Sequence, residues 1–326
     1  VNITLMDSVP LINADDVWQL DTNGNNCTQS GQECLTGKGI TIGIIDTGVD
    51  YTHPDLGGCF GASCKVIGGY DFVNNDDDPM DDVGHGTHVA ATAAGNGILK
   101  GVAIDASIVA YKVLDSQGQG LYDWIIAGIE RSFDPNQDGD FSDHLDIISL
   151  SLGGPGDPDD SVSRAVDNVV DNGVVAVIAA GNSGPAYESL GGPGVSRKAI
   201  TVGATYKKDY DGDYFLDTNP KVDQVASFSS RGPSFGPYLP VGIKPDILAP
   251  GAFICAARYD SIFPPGEHPY YYPCLDDQHL QLAGTSMATP MISGLVALLK
   301  QKHPDWSSEI IKAAITENAL NLGYDL

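Results

Sequence analysis

The stretch GITIGIIDTGVD, residues 39–50, opens on an apolar, β-branched run and breaks off at Asp46. From Ile42 to Ile45 nothing polar interrupts it. A strand with one wet face would alternate; an unbroken run marks a strand covered on both faces. Four more runs read the same way: ASIVAYKVL (106–114), LDIISLSL (145–152), GVVAVIAAG (173–181) and KAITVGAT (198–205). Helical patterns lie between them. LYDWIIAGIERS (121–132) is one. In DDSVSRAVDNVVDNG (159–173), Val162, Ala165, Val166, Val169 and Val170 fall on one stripe, with Asp and Ser at the start and Gly173 at the end. MISGLVALLK (291–300) is apolar almost all round and predicts a buried helix of about a dozen residues. Pro290 is expected near its first turn, where a missing N–H costs little. Buried strands alternating with helices predict an α/β fold: a mostly parallel central sheet, helices on both faces, three layers, and one domain over residues 1–326.

Ligands of such sheets gather outside the carboxyl ends of the strands. The first strand ends in Asp46. GHGTHVAATAAG brings His85 and His88, the run at 173–181 leads into Asn182, and Ser286 stands at the mouth of the late helix in GTSMATP (284–290). Each residue type suits one task of acyl transfer. A serine hydroxyl needs a base to take its proton, and imidazole has the right affinity near neutral pH. A carboxylate on the other ring nitrogen fixes the tautomer and stabilises the imidazolium. The oxyanion of the tetrahedral intermediate needs preplaced donors. Asn182 offers a side-chain N–H, and Ser286 a main-chain N–H left free at a helix start.

The composition removes other classes. Lys+Arg number 17 against 43 Asp+Glu, a formal net charge of -26, which argues against a nucleic-acid or anionic-membrane partner. No apolar run is long enough to cross a membrane as a helix. Hydrophobic residues make up 42% of the chain, ample for a core.

Five segments in this order resemble one family. IIDTGVD around Asp46, GHGTHVA around His85, SLGG at 151–154, AAGNSG around Asn182 and GTSMATP around Ser286 are similar to the signature segments of the subtilisin-like serine proteases. FSSRGP (228–233) and KPDILAPG (244–251) match further family segments. The resemblance runs from about Leu11 to Leu320, with the order Asp, His, Ser. It implies a catalytic triad of Asp46, His85 and Ser286, an oxyanion hole of Asn182 and the Ser286 amide, and a structural role for His88. It implies protein or peptide substrates bound as an added strand between Gly118-Gln119-Gly120 and Ser151-Leu152-Gly153. The P1 side chain would enter a slot walled by Leu152, Gly153, Gly154, Ala179, Ala180 and Gly181. Those walls carry no charge, so bulky apolar or aromatic P1 residues are expected. The resemblance further implies a zymogen whose own N-terminal propeptide acts as chaperone and inhibitor; a monomer is expected.

The acid excess has local homes. Asp134, Asn136, Asp138 and Asp140 are spaced two apart, with Gly139 at the tight-turn position, as in the first half of an EF-hand-type Ca2+ loop. Leu145 stands where a twelfth-position Glu belongs, so Asp143 or Asp146 would complete the shell. Asp209, Asp211, Asp213 and Asp217 offer a second calcium cluster. NNDDDPMDD (74–82) reads as an exposed acidic loop. AAGNGILKGVAI (93–104) is shorter than the calcium-wrapping segment of many relatives. Cys27, Cys34, Cys59, Cys64, Cys255 and Cys274 lie in close pairs. That spacing reads as disulfides and an oxidising compartment, with pairing by neighbours (27–34, 59–64, 255–274) the first expectation and other pairings open. Sequons at Asn2 and Asn26 agree with an extracellular glycoprotein, and a chain starting at Val1 is expected to be a processed product.

Overall fold

The structure, a computed structural model, describes residues 5–235, 240–259 and 272–323. Its centre is a sheet of seven strands: β1 Thr41–Asp46, β2 Val66–Asp71, β3 Ser107–Lys112, β4 Ile147–Leu150, β5 Val175–Ala179, β6 Ile200–Tyr206 and β7 Ile247–Ala252. They lie in the order β7-β6-β5-β4-β1-β3-β2, and every neighbouring pair is parallel. The five runs read from the sequence are the five inner strands; β2 and β7 form the two edges. Because β1 lies between β4 and β3, the chain reverses its direction of travel across the sheet there. That is the switch point at which parallel sheets open a crevice.

Side chains divide between the faces with the two-residue period of a strand. Ile42, Ile44, Ile108, Ala110, Val175 and Val177 pack with the helices α1 (His85–Ala94) and α4 (Thr285–Lys302), and with α5 (Ser308–Glu317). Ile45, Val109, Tyr111, Ile148, Leu150 and Ile178 pack on the other side with α2 (Tyr122–Arg131) and α3 (Ser161–Asp171). The expected three layers are therefore present. Helix α4 has 18 residues, longer than the apolar run suggested, and Pro290 is its sixth residue rather than a first-turn one.

The cysteines pair as neighbours: Cys27–Cys34, Cys59–Cys64 and Cys255–Cys274. The last ties into a small antiparallel sheet of Ile254–Ala257, Tyr272–Pro273 and His279–Leu282 that packs on α1. His88, buried on α1, turns Nε2 toward the carbonyls of Ile254 (3.0 Å) and Leu280 (3.2 Å). Burial, with the charges of His85 and His279 nearby, pushes its pKa down to about 3, so this ring is a neutral donor and a packing residue, as expected.

His279 is the opposite case. It is fully buried, its Nε2 is 2.9 Å from Asp55 Oδ2, and its Nδ1 is 2.5 Å from Asp276 Oδ1. A nitrogen facing an ionised carboxylate must donate, and only the imidazolium donates from both. Burial opposes that charge, but the two carboxylates outweigh it and raise the pKa. Asp55 also accepts from the main-chain N–H groups of Ile98 and Leu99, so the charged ring joins three segments. A histidine whose pKa is raised on folding contributes stability that is full below about pH 6.5 and fades as pH rises through the folded value. In a Ser286→Ala background, which prevents self-digestion, the Tm advantage of His279 over a His279→Asn variant is therefore expected to shrink as pH rises above neutrality. An advantage constant from pH 6 to 10 would show that the ring carries no charge.

Candidate active site

Asp46 ends β1 fully buried. Its Oδ1 accepts from the Thr47 main-chain N–H at 2.7 Å and from His85 Nδ1 at 2.7 Å. Its Oδ2 is buried without a protein partner. His85 is the first residue of α1, with 29% of its side chain open to solvent. Burial works against its charge, but the Asp46 charge and hydrogen bond, with Asp81 behind, raise its pKa above the ordinary value. The close approach of α1 to β1 requires a glycine after His85: a Cβ on Gly86 would lie 2.1 Å from the Gly48 carbonyl oxygen.

The acidic run at 74–82 is exposed over residues 74–78, as expected, but its end turns inward. Asp81 is fully buried and accepts from the Thr47 hydroxyl, the N–H groups of Val83, Gly84 and Thr87, and the Thr87 hydroxyl. Asp82 meets the buried ammonium of Lys112 at 2.7 Å. The run is the brace that sets α1, and with it His85, against the end of β1.

Ser286 is the second residue of α4, so its main-chain N–H has no helical acceptor. Its hydroxyl donates to the Ser151 carbonyl at 3.0 Å, and the Ser151 hydroxyl donates to the Ser286 carbonyl at 2.8 Å. The second bond explains Pro290. In an unbroken helix the N–H of residue 290 would take the carbonyl of residue 286; proline has none, and that oxygen is left for Ser151. In the rotamer seen here the Ser286 hydroxyl bonds Ser151 rather than His85, although His85 and Ser286 line the same cleft.

Asn182 follows β5, and its amide is oriented by Thr285. The Thr285 N–H (2.9 Å) and hydroxyl (3.0 Å) both face Asn182 Oδ1, and the Gly181 N–H donates to the Thr285 hydroxyl at 3.1 Å. A main-chain N–H can only donate, so the atom facing it must be the amide oxygen, and Nδ2 is turned the other way. A Cβ built on Gly284 would lie 3.3 Å from Asn182 Nδ2 and 3.6 Å from the Ser286 nitrogen. Both donors thus border one small space, which suits a developing oxyanion. Nothing in the sequence marked Thr285, because a threonine at a helix start ordinarily reads as a cap.

All ten residues expected to bind substrate, Gly118, Gln119, Gly120, Ser151, Leu152, Gly153, Gly154, Ala179, Ala180 and Gly181, line one cleft of about 1030 Å³ with His85, Asn182 and Ser286. The walls expected for the P1 slot carry no charge, but the cleft beyond them does, because Asp160 lines it as well. Asp160 follows the wall segment at 151–154 closely in sequence, but which acid of GDPDD turns to the cleft is settled only by the fold.

The acidic loops differ from each other. Around Asp134–Asp140 the side chains of Asn136 and Asp138 each accept from the N–H two residues on, and Asp134 Oδ2 accepts from the Gly139 N–H. Asp134 Oδ1 is buried with no partner, a donor atom suited to a hard cation. In the second cluster, Asp217 is committed to the Tyr206 hydroxyl, the Ser227 N–H and Gln224, and Asp209 pairs with Lys221. Those carboxylates serve the hairpin at 213–218 and do not fit a metal shell. Among the described residues no three His, Cys, Asp or Glu side chains are grouped closely enough to hold an ion.

Asp, His and Ser in that chain order, with the acid and the imidazole at the switch point of an all-parallel sheet, define the class of subtilisin-like serine proteases. The subtilase family model matches residues 37–325, and the chain belongs to that family. It is 38% identical over 306 residues to serine protease AprX of Bacillus subtilis (strain 168), covering 89% of this chain and 63% of that one. It is 34% identical over 448 residues to the minor extracellular protease Vpr of the same strain, covering 97% of this chain and 51% of that one. This chain therefore spans about half to under two thirds of those relatives. Among solved structures, Sphericase superposes with a TM-score of 0.67 at 32% identity, covering 87% of this chain and 84% of that one.

Proposed function

We propose that residues 1–326 act as one secreted serine endopeptidase domain that cleaves peptide bonds through an acyl-enzyme. The observation that carries this reading is the 2.7 Å contact between His85 and buried Asp46 in the cleft that also holds Ser286 and the Asn182 amide. A peptide lies as an added strand along Ser151–Gly153. Ser286 swings its hydroxyl from the Ser151 carbonyl to His85, whose Nε2 takes the proton as Oγ attacks the scissile carbonyl. Asp46 holds the Nδ1–H tautomer and balances the imidazolium. Asn182 Nδ2 and the Ser286 N–H receive the oxyanion. His85 then returns its proton to the leaving amine, and water repeats the sequence to free the acid. Small and apolar residues around the slot, Ala179 to Gly181 and Leu152 to Gly154, favour an apolar or aromatic P1 side chain. Three disulfides and an excess of acid suit an extracellular monomer made as a zymogen with an inhibitory propeptide.

A serine-directed peptidyl phosphonate, which presents a peptide backbone along with its electrophile, tests the core of this reading. It is expected to attach at Ser286, located by peptide mass analysis, and attachment should cease after denaturation. Reaction elsewhere, or equal reaction of the folded and unfolded chain, would overturn it.

Calcium belongs to the same proposal at the first acidic loop only: Asp134, Asn136, Asp138 and Asp140, not grouped into a shell in this structure, would close on the ion with Asp143 completing the set, because Asp146 Oδ2 is held by the Thr41 N–H and hydroxyl. Bound there, the ion would neutralise clustered carboxylates and stabilise the connection between α2 and β4. Calcium at a hundredfold excess over its Kd adds about 2.7 kcal/mol to the folded state. Chelator at fixed ionic strength is therefore expected to lower Tm by several degrees. An Asp134→Asn, Asp138→Asn double variant should lose the calcium response. A Tm indifferent to both would remove calcium from the account.

A further inference from the structure

The cleft reaches across the carboxyl edge of the sheet. Ser286 and Asn182 lie where α4 meets β5, while Leu114, Ile125 and Val162, which also line the cleft, belong to the apolar cluster on the opposite face. The cleft therefore has a second end, away from the reacting atoms, floored by apolar side chains from α2 and α3.

Asp160 stands at this second end as the N-cap of α3, two residues before Val162. Its Oδ1 accepts from the Ser163 N–H at 2.7 Å and its Oδ2 from the Asp157 N–H at 3.0 Å. Two main-chain donors fix the carboxylate in place but bring no opposing charge. The adjacent Asp159 is paired with Arg197, whose Nη1 also donates to the Pro158 carbonyl. Asp160 has no ion pair among the described residues, and no lysine or arginine lines the cleft. Among the described residues, Asp160 and His85 are the only Asp, Glu, Lys, Arg or His side chains of the lining. Asp160 is partly exposed, and no side chain crowds its Oδ2 from Gly156 or Gly192, where a Cβ would lie 2.4 Å and 3.0 Å away.

We propose that Asp160 is a specificity-determining residue, selecting a lysine or arginine side chain at a substrate position N-terminal to P1. This rests on the endopeptidase reading above. The long side chain would lay its methylene stem along Leu152, Val162 and Tyr122 and carry its cationic head to the fixed, unpaired carboxylate. P1 is excluded because its slot lies at Ala179–Gly181, beside Ser286, whereas Asp160 belongs to the α3 end.

The test is a set of internally quenched peptides with an apolar P1, in which lysine or arginine is scanned through P2, P3 and P4. A parallel set places the base at P1. Asp160→Asn keeps a side-chain oxygen for the helix cap and removes the charge. Its kcat/KM is expected to fall on the order of tenfold for the peptides basic at one position beyond P1. It should equal the unaltered enzyme on all-apolar peptides, and the difference should narrow with added salt. Asp160→Lys should reverse the preference, favouring glutamate at the same position. Identical profiles for the unaltered enzyme and both variants would overturn the assignment, as would a change confined to P1. If the unaltered chain cleaves no peptide and Ser286 takes no phosphonate, the endopeptidase reading itself falls, an outcome distinct from unchanged selectivity in an active enzyme.

Discussion

Ser286→Ala is expected to lower kcat by about 10⁶, the size known from a subtilisin rather than from this chain's own geometry. The geometry says why so much is lost and so little else changes. The hydroxyl is the only group of Ser286 that can attack, yet its main-chain N–H and carbonyl are untouched by the substitution. The Ser151 hydroxyl keeps its acceptor on the Ser286 carbonyl. One hydrogen bond, that from the Ser286 hydroxyl to the Ser151 carbonyl, disappears, worth about 1 kcal/mol. Turnover should therefore vanish while Tm moves by only about 1–3 °C. Substrate affinity should survive, because the strand-binding backbone stays in place. Measured side by side, turnover and melting separate the two roles; a variant retaining a substantial share of activity would show that Ser286 is not the nucleophile.

The second large effect is at Asn182. Asn182→Leu is expected to cost about 10²–10³ in kcat, again a magnitude known from a subtilisin, with KM little changed. The amide has two ends with separate tasks. Oδ1 receives the Thr285 N–H and hydroxyl, and Nδ2 is aimed at the space beside Gly284. Leucine removes both ends, so Asn182→Asp is the sharper comparison: it keeps an acceptor for Thr285 and replaces the donor with a second oxygen. If the donor matters, Asp is as damaging as Leu. If Asp restored activity, the residue would matter for holding Thr285 and not for the oxyanion.

The inner strands were legible because burial on both faces leaves an uninterrupted apolar record. The edge strands leave a fainter one. In VIGGYD of β2, two glycines and partial exposure break the run. In ILAPGA of β7 a proline interrupts it, which an edge strand tolerates because one side of its backbone needs no partner. The candidate site was legible where a residue's type agreed with its place at a strand end, as for Asp46 and Asn182, or at a helix start, as for His85 and Ser286. Asp81, Asp160 and His279 were hidden for one reason. Which carboxylate of an acidic run turns inward, and which histidine meets two acids, depends on contacts between segments far apart: His279 and Asp55 are 224 residues apart. Spacing along the chain holds no record of that. Pro290 was misplaced by about one turn because the apolar pattern starts after it, whereas the helix starts at Thr285, before the pattern becomes visible.

The exchange of hydrogen bonds between Ser151 and Ser286 has a kinetic meaning under the proposed reading. The Ser151 carbonyl is an edge group that an incoming peptide strand needs for its own N–H, and at rest the nucleophile occupies it. A ligand with no backbone to offer leaves the serine parked. A peptide laid along the edge competes for that oxygen and sends the hydroxyl toward the imidazole. Arming thus follows docking, and the enzyme reserves its reactivity for polypeptide instead of spending it on small stray electrophiles.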